Sequence, residues 1–210
     1  MKTKLRFVFH KPKGEFRLWP PRVVGVGIVG WTWILGLFYN WKVLKYNYSH
    51  VEVWIPDEAG DFSVPVCTVD DTEDTWYLGR CFSSTTRGDA NGVRFAPASE
   101  VLKHPERWKH IECEVDSERL EVAVQEAEKM VGAKYDYNYV FSFMQPFNIQ
   151  KEIEWACSEF CDWFACLCKG LFWGAWKMSW QRHKLISPRR MAYELAKVFS
   201  EPVALFGDVE

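Results

Sequence analysis

Two residues far apart in the chain have side chains that could do covalent chemistry together: Cys157, in "WACSEFCDWF", and His50, in "YSHVEVWI". Cys157 lies near the N-terminal end of a predicted helix, where backbone N–H groups stabilise a thiolate and lower the thiol pKa. Glu152 and Glu154, just upstream, push the other way. A thiolate so placed attacks carbonyl carbon when a base lies within hydrogen-bond reach of the sulfur and a third group orients that base. His50 is the candidate base, because the partner of such a cysteine is adjacent in space rather than in sequence. With a strand period of two, Tyr48, His50, Glu52 and Trp54 share one face, and Ser49, Val51, Val53 and Ile55 the other. Glu52 then projects ~6.6–6.8 Å along the strand from His50, placed to orient the ring or to meet substrate. Each residue also has a plainer reading. Cys157 is a small apolar member of a stripe with Phe160 and Cys161, and His50 is a half-buried strand histidine bonded to backbone. Residue physics taken alone favours the plainer pair.

Other chemistries fit poorly. Cys67, Cys81, Cys113, Cys157, Cys161, Cys166 and Cys168 are odd in number and irregular in spacing, unlike a secreted disulfide scaffold, which implies a reducing compartment. The last four lack paired two-residue spacings and a nearby histidine, so neither a zinc site nor any cofactor is expected. The formal net charge of −2 gives no whole-protein attraction to nucleic acid. The 12 Trp, 8 Tyr and 15 Phe fill a core and suit an apolar side of a ligand pocket.

The uncharged run Val23–Trp41 contains "GVGIVG", a G-x-G-x-x-G pattern. Only Arg22, Val23 and Val24 separate it from "PP", too few for the central strand of a dinucleotide fold, and no βαβ rhythm follows. A membrane span needs ~20 predominantly apolar residues. The run just reaches that length but carries four glycines, Thr32 and Asn40, and no second span exists. A helix buried in protein is the favoured reading. No signal peptide is recognisable, because "MKTKLRFVFHKPKGEFRLWPPR" lacks an apolar h-region.

The remaining patterns supply a scaffold. Strands are predicted over Leu5–Phe9, Tyr48–Ile55, "FSVPVCTV" with Pro65 marking an edge, Trp76–Ser84, "VRFA" and His110–Val115. Asp70–Thr75 reads as an acidic loop, and Pro97–Lys109 as irregular or one helical turn. Helices are predicted over Glu118–Val131, where Leu120, Ala123, Val124, Ala127 and Val131 form a stripe before Gly132, and over Ala156–Cys168. A last helix starts with Ser187 as N-cap and Pro188 in its first turn. Strands followed by helices imply an α+β fold, an antiparallel sheet packed against helices, in one domain over residues 1–210 with a loosely packed tail over 200–210.

Four motifs occur in order: "YSHVEVWI", "CFSSTTRGDANGVRF", "GAKYDYNYVF" and "ACSEFCDWF". In this order and spacing, over about Leu5 to Leu195, the chain resembles the circularly permuted papain-like cysteine hydrolases. That superfamily is related to bacterial cell-wall peptidases and lecithin retinol acyltransferases, and the likeness is greatest to its uncharacterised bacteriophage members. The resemblance implies a histidine on an early strand, a nucleophile starting a late helix, no cofactor, and an acyl, peptide or lipid-like substrate. His50 becomes the base and Cys157, leading a Cys-Ser-Glu run, the nucleophile of an amidase, peptidase or acyltransferase. The family's third polar group falls at "CFSS", where only Ser83 and Ser84 stand, with Glu52 as substitute. Ser158, Glu159, Tyr135, Asp136 and Trp54 are expected around the substrate pocket, Tyr135 and Asp136 closing the site. A virion or host-cell cytoplasm is the implied setting, with a virion or host protein as partner. A non-catalytic phage structural or interaction protein retaining the fold is the alternative.

Overall fold

The computed structural model describes residues 1–11, 46, 48–57, 60–67, 73–86, 90–137, 155–169 and 187–205. The run Val23–Trp41 lies outside them, as does most of the aromatic stretch after Tyr135. The strands are β1 (Lys2–His10), β2 (His50–Ile55), β3 (Ser63–Cys67), β4 (Glu73–Tyr77), β5 (Arg80–Thr85), β6 (Gly92–Pro97), β7 (Trp108–Asp116) and β8 (Val203–Ala204). The helices are α1 (Ala98–Val101), α2 (Ser117–Lys129), α3 (Cys157–Lys169) and α4 (Pro188–Val198), with a 3₁₀ turn at Pro105–Arg107.

Six strands form one sheet in the order β6-β5-β2-β1-β7-β8, with antiparallel neighbours throughout. The first strand is thus internal, flanked by β2 and β7, with Phe7 opposite both Val53 and Ile111. Alternation along the strands sorts the side chains. Leu5, Phe7 and Phe9 of β1, Val51, Val53 and Ile55 of β2, and Ile111, Cys113 and Val115 of β7 meet the helices in the main core. α3 lies over β2 and β5 and packs against α2 and α4. It buries Cys157, Phe160, Cys161, Phe164, Ala165 and Cys168, the predicted stripe.

The opposite face is also covered. Val8, Trp54, Phe62, Tyr77, Cys81, Ala98, Leu102 and Trp108 form a second, smaller cluster. Every residue of β2 is buried, which alternation alone does not predict.

The helix ends follow local chemistry. The Asp116 carboxylate accepts from the Glu118 N–H at 3.1 Å, and the Ser187 hydroxyl from the Arg190 N–H at 3.2 Å, with Pro188 as first helical residue. α2 stops at Lys129, so Val131 drops off the expected stripe and is exposed. Tyr48 departs from the face predicted for it: the strand starts only at His50, and Tyr48 packs on Phe9 in the main core, ring centroids 5.2 Å apart. Glu73–Thr75, expected in a loop, are the first residues of β4, paired with β3 in a two-stranded sheet. The segment after Ser200, expected as a tail, adds β8 to the sheet edge through Val203 and His110.

The predicted strand Trp76–Ser84 is two strands, broken at Gly79. Its φ is +77°, and a Cβ there would sit 2.0 Å from the Ile55 carbonyl oxygen. The chain crosses the end of β2 at a distance only glycine allows, passing from the small hairpin into the main sheet. Gly79→Ala is therefore expected to destabilise the protein well beyond the about 1–2 kcal/mol that left-handed backbone alone costs a residue with a Cβ. Gly60→Ala, with φ +87° and open space around it, isolates the backbone cost. Urea midpoints compare the two, and equal losses would refute the close-approach explanation.

Candidate active site

Two adjacent strands part at one end of the sheet, and the start of a helix is seated there. β2 and β5 pair only through Val53–Ile55 and Arg80–Phe82. Toward His50 and Ser84 they pair no further, and side chains take over the hydrogen bonding. The Val51 carbonyl accepts from the Ser83 hydroxyl at 2.8 Å and from the Cys161 thiol at 3.5 Å. The Ser84 hydroxyl donates to the carbonyl of Trp155, two residues before α3. Strand-like contacts complete the seat: Trp155 N–H donates to the Lys134 carbonyl at 2.9 Å, and Asp136 N–H to the Trp155 carbonyl at 3.1 Å. The segment carrying Lys134 is itself held on β6, where Val93 N–H donates to the Ala133 carbonyl at 2.8 Å. Gly92 makes this possible, since a Cβ there would meet that carbonyl oxygen at 1.9 Å.

The seat places Cys157, first residue of α3, beside His50, first residue of β2. Both are 5% exposed. Burial pushes the Cys157 thiol up. The His50 charge and its side-chain hydrogen bond, with hydrogen bonds from the Val51 and Ser158 backbone, outweigh that and hold the thiol below its ordinary value. His50 Nε2 lies 3.0 Å from Glu52 Oε1. With that nitrogen engaged by a carboxylate, Nδ1 is the ring nitrogen left for the sulfur. The ring also meets the edge of Trp108, centroids 6.4 Å apart, and lies across from His10 in the sheet register.

Glu52 is fully buried, and its Oε1 also accepts from Arg94 Nη2 at 3.1 Å. Arg94 was not among the residues singled out from sequence. Its trace there is slight: one cation between Val93 and Phe95 on a short strand, hence on the opposite face from both.

The remaining expected site residues divide by role. Ser83 and Ser84 commit their hydroxyls to backbone carbonyls, and neither stands where Glu52 stands relative to His50. Glu159, 2% exposed, accepts from the Ala156 N–H at 3.2 Å, the return half of a capping box at the start of α3. Ser158 is equally buried and contributes through its backbone. Tyr135 bridges to Trp155, and Asp136 is fully buried beside it, so both lie at the seat of α3. Trp54, expected at the pocket, instead fills the second cluster. It is fully buried between Phe62 and Tyr77, and its indole N–H donates to the Leu78 carbonyl at 2.8 Å.

Among the described residues no group of three or more His, Cys, Asp or Glu side chains is placed to hold a metal ion. Among them, too, no helix is long and apolar enough to cross a membrane. The chain matches no known family model, no curated protein and no solved structure.

The thiols sort by environment. Burial drives Cys81 and Cys161 well above the ordinary thiol range and Cys168 up to about 12. Only the reactive thiolate form alkylates. A lowered pKa keeps Cys157 reactive as pH falls below 9, while a raised pKa silences the other three across that window. Iodoacetamide at neutral pH, read by peptide mass spectrometry, is expected to modify Cys157 well before Cys81, Cys161 and Cys168. His50→Ala removes the largest lowering interaction and leaves the burial and the two backbone hydrogen bonds, so it should slow Cys157 toward the rate of the others. Equal labelling of all four in the native protein would refute this ordering.

Proposed function

We propose that the protein is a cysteine-dependent hydrolase or acyltransferase of permuted papain-like type, acting on an amide, ester or thioester bond. The observation that carries this reading is the placement of one imidazole between a lowered-pKa thiol and a buried carboxylate. The arrangement pairs nucleophile, base and orienting group, with Glu52 as the third member. Support also comes from the order of the pieces: a histidine on an early strand, a cysteine opening a later helix, and a six-stranded antiparallel sheet packed against helices.

The chemistry follows from the pairings. His50 takes the thiol proton, and Cys157 Sγ attacks the carbonyl carbon. The C–S bond forms as the carbonyl π pair moves to oxygen. The oxyanion returns its pair, the bond to the leaving amine, alcohol or thiol breaks, and His50 passes its proton to the departing group. Water or another acceptor, deprotonated by His50, then attacks the acyl-thioester; the acyl group leaves on the acceptor and the thiol is restored. Backbone N–H at the helix start suits the oxyanion. Glu52 stabilises the imidazolium that forms in each half-reaction.

The test uses an activated aryl ester, p-nitrophenyl acetate. The native protein is expected to release one equivalent of nitrophenol in a burst and to carry an acetyl group on the Cys157 peptide. Cys157→Ala should abolish both, and His50→Ala should slow the burst by about 100-fold or more. An acetyl group found elsewhere, or a burst indifferent to Cys157, would sink the proposal and leave the fold a binding role.

A further inference from the structure

We infer that Arg94 is a positioning residue for this site, its guanidinium holding Glu52 from β6 and completing a charge-balanced set with Cys157, His50 and Glu52. This rests on the cysteine-nucleophile reading above and assigns that site a fourth member.

The geometry is specific. Arg94 stands on β6, opposite Ser83 of β5, and Glu52 is one strand further in, on β2. To reach Glu52 Oε1 at 3.1 Å the arginine side chain crosses β5 at Ser83. A short side chain suits that crossing, and its hydroxyl is turned onto the Val51 carbonyl. Arg94 Nη2 and His50 Nε2 share the same carboxylate oxygen. The Glu52 side chain is 1% exposed and that of Arg94 22%.

Charge counting shows what the arginine does. In the reactive state the site holds a thiolate, an imidazolium, a carboxylate and a guanidinium, two charges of each sign, with all but the guanidinium buried. Without Arg94, losing the thiol proton while His50 stays protonated leaves one net negative charge on the set, which a low-dielectric interior penalises. The site relieves that by keeping the thiol proton. Arg94 thus acts through Glu52 and His50 on the nucleophile, touching neither sulfur nor substrate.

Among the described residues, the titratable groups next to the set do not supply this charge. Val8, across from Glu52 on β1, is apolar, and burial keeps the neighbouring Cys81 and Cys161 thiols protonated. Glu159 and Asp162 on α3 are acidic. His10 lies across from His50 on β1 and is the same in every variant below, so a shift among them belongs to Arg94.

The experiment is the pH dependence of Cys157 alkylation by iodoacetamide on the full chain, with melting temperature recorded for each variant. Arg94→Gln is expected to move the midpoint up by about one pH unit, slowing alkylation about tenfold at neutral pH. Arg94→Lys, which keeps the charge, should recover most of the loss. A merely structural role would lower the melting temperature without moving the midpoint. If Arg94→Gln does not fold, the double variant Glu52→Gln with Arg94→Gln removes both buried charges and leaves neither orphaned. It is expected to show a midpoint above that of Glu52→Gln alone, because the second substitution removes the arginine charge; equal midpoints in those two overturn the inference. An Arg94→Gln profile superimposable on the native one overturns the inference and leaves Cys157 as nucleophile. A native Cys157 with an ordinary thiol profile overturns the functional reading and this inference with it.

Discussion

A carboxylate with no access to water needs cationic or hydrogen-bonding partners, and Glu52 makes that demand at the centre of the sheet. Removing one partner from a buried pair typically costs about 3–5 kcal/mol, because the other charge is left uncompensated. Glu52 draws on two partners from different places: His50, two residues away on the same strand, and Arg94, two strands across. The second fixes the lateral geometry of β2, β5 and β6 at the end where the site lies. The first fixes which imidazole nitrogen faces the carboxylate. A group expensive to bury thus ties the outer strands of the sheet to the orientation of one ring.

The parting of β2 from β5 serves the same end. A ladder continued to His50 would pair the Val51 carbonyl with backbone and leave no seat for the start of α3. Instead the Ser83 hydroxyl and the Cys161 thiol satisfy that carbonyl, and Ser84 and Asp136 hold Trp155 just ahead of the helix. The bonds lost by the sheet are replaced by side chains. The two serines that drew attention as possible members of a catalytic set are the residues that hold this seat open. Their value is in placing Cys157, through short polar side chains that reach backbone at close range.

Much of the scaffold was legible locally. Helix stripes repeat within a few residues, so the buried face of α3 and the cap at Ser187 follow from neighbours in the chain. Strand alternation put Val51, Val53 and Ile55 on one face, which meets the main core, and set His50 and Glu52 together on the other. Reading failed where a distant contact overrode the local rule. Gly79 breaks a strand because Ile55 lies against it, and Tyr48 leaves its predicted face because β2 starts late, while Trp54 keeps its predicted face but is packed into a second cluster there. Arg94 was missed because a single arginine on an alternating strand reads as solvent-facing.

By itself the sequence determined what depends on short separations: element types, their buried faces, and the pairing of His50 with Glu52 two positions along one strand. A period of two or 3.6 carries that information within a single segment. Tertiary structure decided the rest. It made the first strand internal, brought Cys157 to a histidine 107 positions earlier, and carried Arg94 across β5 to a buried carboxylate. Those contacts depend on strand order and on where two strands part, and no periodicity within one segment encodes either. The environment of Cys157 is therefore a property of the assembled fold, built from residues on three separate elements, α3, β2 and β6.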